Sequence, residues 1–195
     1  MAKDAVVLGQ VRLPQRHLET WLSTPVRPRD FTGWPDAFEG DFEAKAPEVI
    51  IQELSEQNVR APEFLDVRVD GNELKARMSV SLDTFVETRL ELATLFRSAG
   101  RFGGGGRLVF AGMNSVAFGY LVHVGWGHST VRTLSEAEIR AVEKTTLYRE
   151  VDRRTQAALD VLLGRAEKKP DVTPRPGRGR WSVNPFTGKR IWTAG

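Results

Sequence analysis

Residues 64–81 read FLDVRVDGNELKARMSVS, and this stretch decides the fold class. Apolar and polar residues alternate on both sides of Asp70-Gly71-Asn72. A period of two is the mark of a half-buried strand. Asp-Gly favours a tight turn because glycine accepts positive φ. The spacing therefore predicts an antiparallel hairpin, Phe64 to Val69 and Glu73 to Ser81, at the middle of the chain. Towards the N-terminus, Ala5 to Leu13 (AVVLGQVRL) reads as a strand with Val7, Gly9, Val11 and Leu13 on one face. Pro14 then opens a short helix, whose His17, Leu18, Trp21 and Leu22 recur at helical spacing. Pro25 and Pro28 stop it, and Val26 to Lys45 is irregular. Phe31, Trp34, Phe38 and Phe42 are placed to pin that loop to the body, and long ordered loops are often functional. Ala46 to Gln57 reads as a second helix with Val49, Ile50 and Leu54 inward.

Towards the C-terminus, Leu82 to Gly100 reads as an amphipathic helix with Phe85, Leu92, Phe96 and Ala99 in one stripe. Gly100 and Gly103 are its stop signals. Arg107 to Gly112 and Ala117 to Gly125 read as strands, with Met113 to Val116 as their turn. Val131 to Leu134 reads as an extension of the second strand beyond a break at Gly125-Trp126-Gly127. Ser135 and Glu138 form a capping box that starts a long helix to about Leu163, ended by Gly164. The resulting order resembles the ferredoxin-like split βαβ arrangement with one added strand and a C-terminal helix. The expectation is an α+β fold: a mainly antiparallel sheet of about five strands, with helices packed on one face. Residues 1–165 make the globular domain and 166–195 an extended tail.

The tail reads AEKKPDVTPRPGRGRWSVNPFTGKRIWTAG. Its prolines and glycines leave no helix or strand of useful length. Yet Trp181, Phe186, Ile191 and Trp192 are large apolar anchors that a plain linker does not need. Seven basic residues against two acids give the tail +5, so the body, with 21 basic and 23 acidic residues, is −2 although the whole chain is +3. A near-neutral body argues against a nucleic-acid-binding domain, which carries its basic face on the fold itself. The tail has two readings. As a docking segment, Trp181, Phe186 and Trp192 fill apolar pockets while Arg178 and Arg180 meet acids at the rim. As a nucleic-acid arm, its arginines bind phosphates and a tryptophan stacks on bases. Docking is the favoured one, and Asn184 to Gly188 reads as a turn presenting Phe186.

The chain has no cysteine, which removes disulfides, thiolate metal sites and cysteine nucleophiles. No stretch approaches the roughly 20 apolar residues of a membrane span, and the N-terminus lacks a signal-peptide pattern. A cytoplasmic protein is expected. Gly103 to Gly106 lies after a helix and before a strand, the reverse of a phosphate loop, and no Gly-Lys-Ser/Thr follows. His17, His123 and His128 show no metal-ligand spacing, so no metal and no cofactor are expected. His128, next to Ser129 at a strand break, is a weak catalytic candidate; an exposed turn histidine is the simpler reading. Asp36, Glu39, Asp41 and Glu43 cluster on the aromatic loop without the register of a calcium loop. They read either as a solvated acidic loop or, with Trp34 and Phe38, as a contact patch for a basic partner.

These features resemble, in general character only, the immunity and adaptor proteins of bacterial toxin or phage-related systems. The expected function is a non-enzymatic protein-binding factor of that kind, acting by surface complementarity on another chain or a sister subunit. The alternatives are a structural subunit of a phage or injection-type assembly whose tail laces onto a neighbour, and a hydrolase or transferase using His128.

Overall fold

Residues 5–8 are all apolar, which suits a strand buried on both faces. That strand, β1 (Asp4–Arg12), lies inside a six-stranded sheet. The computed structural model describes residues 4–60, 65–81, 85–112, 118–146, 148–150, 153, 157, 160, 180–183 and 190–193. The other strands are β2 (Leu65–Asp70), β3 (Glu73–Ser81), β4 (Gly105–Gly112), β5 (Gly119–Gly125) and β6 (His128–Thr133). Their order across the sheet is β2-β3-β1-β4-β5-β6, and every neighbouring pair is antiparallel. The helices are α1 (Gln15–Ser23), α2 (Pro47–Arg60), α3 (Phe85–Arg101) and α4 (Glu136–Glu143). No helix among the described residues is long and apolar enough to cross a membrane.

The sixth strand corrects the expected count of about five. Trp126-Gly127 is a two-residue turn, with Gly125 and His128 paired across it, so β6 folds back on β5 instead of prolonging it. Gly127 holds φ at 76°, a conformation that glycine adopts without strain. Its N–H donates to the Gly100 carbonyl of α3 at 2.9 Å, which ties the turn to the helix end.

One face of the sheet carries the main core. Val7, Val11, Leu74, Ala76, Leu108, Phe110, Val122 and Val124 meet Leu18 and Trp21 of α1, Ile50 and Leu54 of α2, and Leu92, Leu95, Phe96 and Ala99 of α3. The Val, Leu, Ile and Phe side chains among them contribute about 1.5–3 kcal/mol each when fully buried. The helix α3 is more than amphipathic: every residue from Leu92 to Gly100 is buried. Its polar members need partners inside, and Ser98 Oγ accepts the Trp21 Nε1–H at 2.7 Å while donating to the Leu95 carbonyl at 2.6 Å. Gly9 lets α3 sit this close. A Cβ there would stand 2.7 Å from the Phe96 ring and 2.5 Å from Leu108 Cδ1.

The helices are not confined to that face. Val6, Leu8 and Ala111 point the other way and pack with Tyr148 and Val142. The run of apolar residues at 5–8 leaves this patch needing cover, and the segment after β6 supplies it. The expected long helix from Ser135 is also divided. Its capping box is present, with Ser135 Oγ accepting the Glu138 N–H. But α4 ends at Glu143, and Thr145 Oγ1 accepts the Tyr148 N–H at 3.2 Å, acting as a fresh N-cap. Helical residues follow at 146, 148–150, 153, 157 and 160.

By its contacts the chain divides into Met1–Leu159 and Asp160–Gly195. The second unit does contain strands, contrary to the sequence reading. They are β7 (Arg180–Val183) and β8 (Arg190–Thr193), antiparallel with Trp181 opposite Trp192. A Trp-rich pair separated by a turn-forming Asn-Pro…Thr-Gly run is compatible with a hairpin, which the proline and glycine count obscures.

Two outcomes follow for stability. Gly9→Ala is expected to cost about 1–3 kcal/mol by overpacking, read as a lower urea midpoint. An unchanged midpoint would mean that α3 does not press on the sheet. The Glu138 carboxyl is held at about 2, below its usual 4.5, by hydrogen bonds from Arg132 and then from Ser135. A depressed carboxylate stabilises fully above its unfolded value and loses that contribution as pH falls through its folded value. Wild type and Glu138→Gln should therefore differ in melting temperature above about pH 4.5 and converge as pH approaches about 2; parallel curves would refute the linkage.

Candidate functional site

The loop between α1 and α2 is closed at its base by a two-way bridge, Val26 N–H to the Lys45 carbonyl at 2.9 Å and Lys45 N–H to the Val26 carbonyl at 3.0 Å. Its aromatic residues lie against the helix side of the sheet. Phe38, only 2% exposed, packs on Phe110 and Tyr120 at 5.8 and 5.1 Å, and Trp34 stacks on Phe38 at 5.6 Å. Three arginines on α3 face these rings. Arg89 lies 4.9 Å from the Phe38 ring centre. Arg97 lies 4.3 Å from Trp34 and 4.9 Å from Phe31, and Arg101 lies 4.5 Å from Phe31.

Arg97 is the most buried of these three arginines, at 3% exposure. It donates to Ser129 Oγ at 3.0 Å, to the Thr32 carbonyl at 2.8 Å and to the Ser129 carbonyl at 3.2 Å. Its remaining nitrogen, Nη1, is buried without a hydrogen-bond partner. Burial, and then the nearby Arg101, lower its pKa to about 10, so it stays charged at neutral pH. The rings supply the attraction that a carboxylate would otherwise give. Trp34 and Phe38 thus hold the loop, and Phe38 is too buried to meet a partner directly.

Asp36, Glu39, Asp41 and Glu43 are all exposed along the same loop. Asp41 pairs with Arg29 at 2.6 Å, while the other three carry no ion pair among the described residues. The loop therefore presents carboxylates outward on an aromatic base held from within.

The opposite face of the sheet carries a different set. Register places Gln10, Arg107, His123 and Thr130 in one cross-strand row over β1, β4, β5 and β6. All four are exposed. The next row towards the β5–β6 turn is Arg12 opposite Gly105, and Gly125 opposite His128. The two glycines leave the backbone bare, and rings rest over it. Trp126 atoms stand 3.8 and 3.9 Å from where a Gly105 Cβ would be, and the His128 ring occupies the place of a Gly125 side chain. Trp126 is 80% exposed. The His123 and His128 rings are 6.0 Å apart and tilted by 34°. No third ligand-type residue joins them in a metal-sized group among the described residues. The strands β4 (GGRLVFAG), β5 (GYLVHVG) and β6 (HSTVRT) contain no acid at all.

His128 and Ser129 do not converge. Ser129 turns to the helix side and takes the Arg97 bond, while His128 stands on the exposed face with Nδ1 3.2 Å from the Trp126 carbonyl. His17 bridges α1 to the end of α3, with Nδ1 2.8 Å from the Phe102 carbonyl. Gly105 and Gly106 belong to β4, so the glycine run leads into a strand. In the tail, Arg180, Trp181 and Trp192 lie on the β7–β8 pair, while Arg178 and Phe186 lie outside the described residues. Residues 113–116, expected as a turn, and Ala117, expected to open the strand after it, lie outside them too. Sequence reading gave no binding role to Trp126, His123, Arg107 or Arg97. The first three become legible once Trp126-Gly127 is read as a turn, because alternation then puts His123 and His128 on one face.

Compared with family models, curated proteins and solved structures, the chain matches none.

Arg97→Ala should destabilise the protein by roughly 2–4 kcal/mol, through a cavity and an orphaned Thr32 carbonyl. Limited proteolysis should then cut within residues 31–42 before the rest of the body. Resistance equal to wild type would show that the loop does not depend on Arg97.

Proposed function

We propose that the protein is a binding protein acting by surface complementarity, and that the second face of the sheet, across β1, β4, β5 and β6, is its contact surface. One observation carries this reading. An 80% exposed Trp126 stands beside His123, His128 and Arg107 on strands that hold no acid. Tryptophan and arginine are common anchors at interfaces, and here an exposed tryptophan stands near an exposed arginine on one face. The interleaving of β3 between β2 and β1, and of β1 between β3 and β4, supports the ferredoxin-like reading of residues 4–112. The cysteine-free composition supports a cytoplasmic location.

A second reading keeps the immunity-like or adaptor-like role, with a protein partner held by the tail. It is favoured by the β7–β8 pair, which sets Trp181 opposite Trp192 between basic residues. On that reading the exposed carboxylates of the aromatic loop add a contact for a basic partner.

Covalent footprinting of the full-length protein separates these. Trp126 oxidation and histidine acylation at His123 and His128 are expected to fall in a lysate of the native host relative to buffer, while carboxyl labelling of Asp36 and Glu39 stays unchanged. Protection of the carboxyls with an open Trp126 would assign the contact to the loop and overturn the sheet-face reading.

A further inference from the structure

We infer that the occupant of this face is a single-stranded nucleic acid, with Trp126 and His128 stacking on bases and Arg107, which has no ion pair among the described residues, meeting a phosphate. The inference rests on the sheet face being the contact surface.

Three features of the face select this chemistry. The first is the arrangement of rings. Trp126 rests over the bare backbone at Gly105 and is otherwise exposed, and His128 covers Gly125 with His123 beside it at 6.0 Å. Rings supported from below and open above accept a flat partner, and every base offers one. The second is charge. Arg107 is exposed between Gln10 and His123, without an ion pair among the described residues, and β4, β5 and β6 have no acid to repel a phosphate. Arg12 stands in the next row and shares the Glu73 carboxylate at 2.7 Å. The third is hydrogen bonding. Gln10 and Thr130 flank Arg107 and His123 in the same row, and both can donate and accept at a base edge.

The shape of the surface favours a single strand over a duplex. A broad sheet face does not enter a groove, and rings can stack only on bases that are unpaired. The row from Gln10 to Thr130 crosses three strand spacings, about 14 Å, which suits a short run of nucleotides. An acidic protein segment would satisfy the cations and leave the rings without planar partners. The near-neutral body charge does not oppose the assignment, because the net value averages over faces of opposite character.

The test is binding of the full-length protein to a fluorescent mixed-sequence oligonucleotide of about 12 nucleotides, by anisotropy, at salt between about 50 and 200 mM. Single strands should bind more tightly than the matched duplex. Trp126→Ala should weaken binding by about tenfold with an unchanged melting temperature. Arg107→Gln should lower the magnitude of the salt slope by about 0.7. The basic tail is controlled by neutralising Arg178, Arg180, Lys189 and Arg190 to Gln in the full chain, which should leave the Trp126 dependence intact. Absence of single-strand binding, equal affinity for duplex, or binding lost with the tail charges but kept in Trp126→Ala would each overturn the inference. The footprint then tells the two levels apart. Protection of Trp126 that survives nuclease treatment of the lysate overturns the nucleic acid and leaves the face a protein-binding surface. Loss of protection in every condition overturns both.

Discussion

The contact between Phe96 of α3 and the bare backbone of Gly9 sets the position of everything functional in the body. Gly9 lies on a central strand, and its missing side chain brings α3 onto the sheet. With α3 so placed, its C-terminal turn reaches the β5–β6 hairpin, where the Gly100 carbonyl takes the Gly127 N–H. A Cβ at Gly100 would stand 2.9 Å from the His128 carbonyl, so this junction too depends on a close backbone approach. The hairpin it anchors carries Trp126 and His128. Packing on one face of the sheet therefore positions rings on the other.

The same helix holds the aromatic loop by cations instead of by a continuous apolar stripe. Arg97 sits over Phe31 and Trp34 and Arg101 over Phe31, and among the described residues no carboxylate forms an ion pair with Arg97. Desolvating a guanidinium is expensive, and its lowered pKa reflects that cost. Two rings and three hydrogen bonds from Arg97 offset much of it, and they are directional where apolar packing is not. The loop is thereby fixed in one conformation, and its exposed acids project from a rigid base.

Much of the architecture was legible in the sequence. The hairpin around Gly71, the proline-bounded α1 and the Ser135 capping box are all local signals, and local signals survive into the fold. What failed to show was non-local. Trp126-Gly127 lacks an Asn or Asp to announce a turn, so β6 merged with β5 in the reading and the shared face of His123 and His128 was lost. Arg97 sits among apolar residues in a helix, where its charge argues for solvent. Its burial is made tolerable by the aromatic loop, more than fifty residues earlier in the chain, and by Ser129 of β6, 32 residues later. Thr145 looked like an interior helix residue because its capping role depends on a bend that Tyr148 fixes by packing on Val6 and Leu8.

Net charge misled for a geometric reason. The carboxylates of the aromatic loop lie on the helix side of the sheet, where Phe38 packs on Phe110 and Tyr120. Arg107, His123 and His128 lie on the other side. A packed layer separates the two sets by about 10 Å, and the Debye length at physiological salt is about 8 Å. An anion on the sheet face therefore meets Arg107 nearer than it meets the loop acids, which face away from it. A body of charge −2 can still place Arg107 on strands without an acid of their own, while Glu73 and Glu138 at the margins of that face are already paired with Arg12 and Arg132, because charge governs binding by where it stands and not by its sum.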